Sequence, residues 1–181
     1  MSTKRSSLAI VLLLTVLAPA FSQTQADRAF AVKLYNQQMF EEAARVLEAV
    51  LEQGRADPFD QALLGLCYLR LQRLEKAQAA LEQAHRRDPS LSIVHLGSGQ
   101  LAFQQRRFEE AYQAFTRAEQ LDPQSRDARE GRIASLINRG AEQYADGQAG
   151  AAEERFRLAL ELDPNSVPAL RNLAILELER G

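Results

Sequence analysis

Four stretches of this chain repeat one another in register, and that periodicity limits the fold more than any other feature. The word Phe40-Glu-Glu-Ala43 returns as Leu74-Glu-Lys-Ala77, as Phe108-Glu-Glu-Ala111 and, in degenerate form, as Ala149-Gly-Ala-Ala152. A large apolar residue follows each word four places on: Leu47, Leu81, Phe115 and Phe156. Three further on stand Val50, Ala84, Ala118 and Ala159, and each unit closes on an Asp-Pro pair, at Asp57-Pro58, Asp88-Pro89, Asp122-Pro123 and Asp163-Pro164. Ala43, Ala77 and Ala111 are 34 residues apart, and Ala152 follows after 41. Self-similarity at such a period is the mark of a solenoid, in which each unit is one supersecondary element. Upstream in each unit a second amphipathic stretch carries a small residue at the equivalent place, Ala31, Gly65, Gly99 or Gly140. Each unit therefore reads as two helices joined by a tight turn.

Small residues let helix backbones approach, large apolar ones fill the space between them, and each Pro ends a helix because it has no amide to donate. One such unit cannot bury its apolar face, so neighbours must stack and the ends need polar caps. Composition agrees: Leu, Ala, Glu, Gln and Arg dominate, and runs of Val, Ile and Thr are scarce beyond the first twenty residues.

These residues resemble the tetratricopeptide repeat, a 34-residue helix-turn-helix unit with Leu-Gly in its first helix, Ala and an aromatic in its second, and a closing Pro. The second unit matches most fully, with Leu64-Gly65, Tyr68, Ala77, Leu81, Ala84 and Pro89; the Trp that usually opens the first helix is missing throughout. The resemblance implies an all-α, right-handed α-solenoid over 23–181. Its repeats fall at about 24–57, 58–91, 92–125 and 126–166, with a cap helix at 167–181. Arg171, Glu177, Glu179 and Arg180 suit a terminal cap over the fourth unit. The same segment also reads as a first helix lacking its partner, as it would if the chain were cut short there. Two departures stand out. Three extra residues around Glu52–Arg55 include Gly54, suited to ending a helix in a left-handed conformation. Seven extra residues near Arg126–Arg132 amount to about two helical turns, and a protruding charged helical start is expected there.

The first 22 residues have the three parts of a secretory signal peptide: Lys4-Arg5, the apolar stretch Leu8–Leu17, and small residues around Phe21 that allow cleavage after Ser22 or Ala20. The apolar stretch is shorter than the roughly 20 residues that span a bilayer, so no membrane span is expected after cleavage. A periplasmic or secreted location follows, and the remaining 159 of the 181 residues are long enough to bury a core.

In the resembled family the first helices line a concave groove. Carried over residue by residue, the groove positions are Arg28, Val32, Tyr35 and Asn36, then Phe59, Ala62, Leu66, Leu69 and Arg70. They continue with Ile93, Leu96, Gln100 and Phe103, then Ile137, Ala141 and Tyr144. The row Tyr35, Leu69, Phe103, Tyr144 puts a large side chain at one equivalent place in every unit. Such a stripe suits an apolar or amphipathic segment of a partner, and the same residues equally suit packing between units. The family's carboxylate clamp is not matched: its places hold Arg28, Val32, Leu63, Ile93 and Gly97, four of them unsuitable.

Net charge is −2, and −4 without Lys4 and Arg5; the arginines stand singly or in pairs among Glu and Gln, which does not suit nucleic acid. Cys67, the sole cysteine, sits among Leu66, Tyr68 and Leu69 as a buried packing residue. His85 reads as a helix C-terminal cation and His95 as the opening of a first helix, in different units. Glu41-Glu42 and Glu109-Glu110 recur at the repeat period, where acids favour a helix start. No phosphate loop, nucleophile elbow or zinc-protease segment occurs in the sequence. The expectation is a binding scaffold or adaptor with a protein or peptide partner and without catalytic residues, metal or cofactor; the alternative is a structural subunit, a homo-oligomer formed through the terminal helix.

Overall fold

The computed structural model describes residues 23–180, and the leader expected over residues 1–22 lies outside them. Every regular element among the described residues is an α-helix. They are α1 over 23–36, α2 Phe40–Glu52, α3 Pro58–Arg70, α4 Leu74–Arg87, α5 Ser92–Gln104, α6 Phe108–Leu121, α7 Arg126–Ala145, α8 Ala149–Leu162 and α9 Val167–Arg180. The helices pair as the repeats require, with α9 left over. None is long and apolar enough to cross a membrane. The chain falls into two compact units, one ending at Ala84 and the other beginning at His85.

Each hairpin turn has the same construction. The residue at the turn adopts a left-handed backbone: Gln38 (φ 62°), Gln72 (58°), Arg106 (59°) and Gly147 (76°). The next amide then donates back to the carbonyl five residues earlier, Met39 to Leu34, Arg73 to Tyr68 and Arg107 to Ala102 at 2.9 Å, and Gln148 to Gln143 at 2.8 Å. That bond closes the helix end and satisfies a carbonyl that would otherwise be orphaned. Helix starts use other means. Asp57 and Asp60 form a reciprocal capping box across Pro58, and Ser125 accepts from the Ala128 amide at 3.3 Å. Glu41 and Glu109 lie in first turns and also reach the neighbouring repeat, to Arg73 in the α3–α4 turn at 3.0 Å and to Arg155 on α8 at 3.4 Å.

The core follows the small-against-large rule. A methyl added to Gly65 would lie 2.7 Å from Leu81 Cγ, one on Gly99 2.7 Å from Phe115 Cδ1, and one on Gly140 2.6 Å from Phe156 Cε1. In each pair the large residue follows the small one by sixteen positions. Phe115 is held from both sides, because a methyl on Gly131 would lie 2.6 Å from its ring.

That contact corrects one expectation. The seven extra residues do lengthen α7, to 20 residues against 13 in α5, but the added turns are not a protruding start. Ala128 is wholly buried, Gly131 meets Phe115, and Arg132 pairs with Glu119 at 2.9 Å. Ala128, Gly131 and Ser135 share one helical face, so two added turns extend the packed surface without rotating it. In the first unit Gly54 ends α2 at φ 65°, as expected. Arg55 beyond it reaches back to Thr24 at 3.0 Å and Asp27 at 3.2 Å, so the insertion clasps α1. The polar-cap picture of α9 holds for part of its surface only. Ala169 and Leu176 are buried in clusters with α7 and α8, whereas Val167, Leu170, Ile175 and Leu178 are exposed.

Candidate partner-binding site

In the unit ending at Ala84, the anticipated positions are mostly occupied with packing. Arg28 donates to both carboxylate oxygens of the buried Asp60, at 2.7 and 3.0 Å, and pairs with Asp57. Its pKa is raised, chiefly by the hydrogen bond to Asp60, and its guanidinium lies 5.6 Å from the Phe59 ring centre. Tyr35 meets Phe40 edge-on at 5.3 Å, and Arg70 covers the same ring at 5.0 Å. Val32 and Phe59 are half-buried. Leu66 and Leu69 are 3% and 0% exposed, so neither offers a surface to a partner. Tyr68 is also buried and donates to Glu48 at 2.6 Å; burial first, then that bond, raise its pKa. Cys67 is fully buried, and burial pushes its thiol up to about 12.

In the unit beginning at His85, Phe103 repeats the Tyr35 contact, meeting Phe108 edge-on at 5.2 Å. Leu96 and Phe103 pack on the Ala102–Ala111–Phe115 cluster, and Ile93 and Gln100 are half-buried. Ile137 and Tyr144 pack against Ala152, Phe156 and Leu176, and the Tyr144 hydroxyl donates to Glu179. That bond raises the Tyr144 pKa. The anticipated row is thus three half-buried rings and one core leucine. Leu178, one 34-residue period after Tyr144, continues it and is 82% exposed; the period alone points to this residue.

Here α5 touches α7 and α7 touches α9, so successive first helices form a wall. Two cavities open on that wall, and Ala141 lines both. One, of about 550 Å3, is bounded by Arg106, Phe108, Asn138, Ala141, Glu142, Ala145 and Asp146. The other, of about 50 Å3, is an apolar notch between Tyr144, Phe156, Asn172 and Ile175. Sequence reasoning reached Ala141 and Tyr144 but not Asn138, Glu142, Asp146 or Asn172. Asn138 and Asn172 are 34 residues apart, a signal that was available.

The two histidines come together, their rings 5.5 Å apart and perpendicular, with His95 Nε2 2.8 Å from the Pro89 carbonyl. Among the described residues no group of three or more His, Cys, Asp or Glu is placed to hold a metal.

Residues 62–126 match the tetratricopeptide repeat family model. Similar solved structures include PilF of Pseudomonas aeruginosa, 22% identical with a TM-score of 0.60 over 86% of this chain and 68% of that one. MamA of AMB-1 is 18% identical with a TM-score of 0.64, covering 88% of this chain and 83% of that one. YrrB, described as a TPR protein with an unusual peptide-binding site, is 17% identical with a TM-score of 0.57 over 90% and 86%. No curated protein matches by sequence. At these identities the likeness shows the fold, an α-solenoid with a further C-terminal helix. Tetratricopeptide repeats generally mediate protein–protein interaction and are generally not enzymes.

Proposed function

We propose that this chain is a scaffold or adaptor of the cell envelope that binds an apolar or amphipathic segment of a partner protein on its first-helix wall. The observation that carries the reading is the pair of cavities sharing Ala141 on α7. A pocket with an apolar notch beside a polar cleft fits a peptide better than a flat surface does. The envelope location rests on the leader, and fractionation with N-terminal sequencing of the mature chain tests it: a cytosolic chain that keeps Met1 would remove it.

Leu69 and Phe103 are poor probes of binding because both serve packing. Ala141 is exposed and lies at both cavities. Ala141→Arg should fill them and weaken partner capture from envelope extract at least tenfold, with helicity unchanged; capture at wild-type level would refute the site.

A second reading, self-association through α9, is supported by Val167 and Leu178, 72% and 82% exposed. Sedimentation that shows a monomer at high concentration would sink it.

A further inference from the structure

The larger cavity has a chemistry of its own. Its one cation, Arg106, is mostly exposed; the guanidinium donates to Glu142 at 3.2 Å and lies 5.9 Å from the Phe108 ring centre. Glu142 is matched on its other oxygen by Arg139 at 3.4 Å. Asp146 is exposed at the edge of the cavity, and among the described residues its carboxylate has no partner. Asp146 is therefore the one charged group of the lining left without a partner.

Backbone and amide groups place further acceptors beside Asp146. Asp146 caps the C-terminal end of α7, where the helix dipole favours a cation. The turn takes up the carbonyls of Glu142, Gln143 and Tyr144, leaving that of Ala145 without a backbone donor among the described residues. Asn138 donates its amide hydrogen to the Ala134 carbonyl at 2.8 Å, so its amide oxygen remains as an acceptor.

We infer that this cavity takes the lysine or arginine side chain of a bound peptide, with Asp146 as its counter-charge. The inference rests on the partner-binding reading above. A segment laid across Ala141 would seat a small apolar side chain in the notch near Asn172 and the basic one in the cavity. The notch is small, at about 50 Å3.

A random dodecapeptide library selected on the full chain tests this. Selected peptides are then measured free, by fluorescence anisotropy, against wild type, Asp146→Asn and Ala141→Arg. Recovered peptides should carry Lys or Arg beside a small apolar residue. Replacing that basic residue by norleucine should weaken binding to wild type about tenfold, the scale of one charge-assisted contact. On Asp146→Asn the same replacement should have little effect, and the salt dependence should flatten. Binders that Ala141→Arg abolishes but that show no basic preference, or a preference undiminished in Asp146→Asn, would overturn the inference alone. Recovery of no binder, or binding indifferent to Ala141→Arg, would overturn the proposed function with it.

Discussion

Substituting Gly99 by alanine should destabilise the protein although alanine is the better helix former. The gain in helix propensity is about 1 kcal/mol. Against it, the new Cβ would stand 2.7, 2.8 and 2.9 Å from three atoms of the Phe115 ring. Carbon–carbon contacts settle at about 3.5–4.0 Å, so the ring would have to retreat by roughly 0.7 Å or more. It has nowhere to go, because its far side already lies where a methyl on Gly131 would be 2.6 Å away. Overpacking of this kind costs about 1–3 kcal/mol, and a ring held from both sides belongs at the upper end. The net loss expected is therefore about 1–2 kcal/mol. Urea unfolding followed by circular dichroism measures it, with Gly150→Ala as control, since nothing lies within 4 Å of a methyl there and that change should be neutral or stabilising. Phe115→Leu should cost stability alone and less in the Gly99→Ala background, a coupling of about 1 kcal/mol between touching residues. Gly99→Ala with the sign of Gly150→Ala, or strict additivity of Gly99→Ala and Phe115→Leu, would refute the reasoning.

Three further outcomes follow from single residues. Gln72→Gly, at φ 58°, should raise stability by up to about 1 kcal/mol, whereas Gly147→Ala, at φ 76°, should lower it by a similar amount in the same urea assay. The amide oxygen of Gln143 is buried without a hydrogen-bond partner, and the equivalent places hold Leu34, Tyr68 and Ala102, so Gln143→Leu should stabilise by about 1 kcal/mol; a loss would show that the amide is satisfied in solution. The Cys67 thiol, raised to about 12 by burial, should be silent to a thiol reagent at pH 8 until urea unfolds the chain. Because the folded form holds its proton more tightly, this residue's contribution to stability is present below the unfolded thiol range and is lost as pH rises from there towards 12.

The periodic words, the helix pairs and their ends were legible in the sequence because their causes are local. Pro has no amide hydrogen at any position, Gly accepts φ 65° at position 54, and a small residue sixteen places before a large one brings two helices together in any repeat of this kind. The direction each first helix faces was not legible. α3 is buried from Asp60 to Leu69, on several faces at once, so helical periodicity cannot say which residues meet a partner and which meet a neighbouring helix. Hence Tyr35 and Phe103 turn out to pack on Phe40 and Phe108, and Leu69 lies in the core. Gly131 reads in the sequence as part of a charged insertion, and in the fold it packs against Phe115. The same holds for the cavity at Ala141, whose walls come from the turn of one helix pair and the first helix of the next. Residues 106 and 142 are 36 apart in the chain and 3.2 Å apart in space. That juxtaposition depends on how two hairpins stack, a property of side-chain packing in three dimensions, whereas the repeat itself follows from the chemistry of neighbours along the chain.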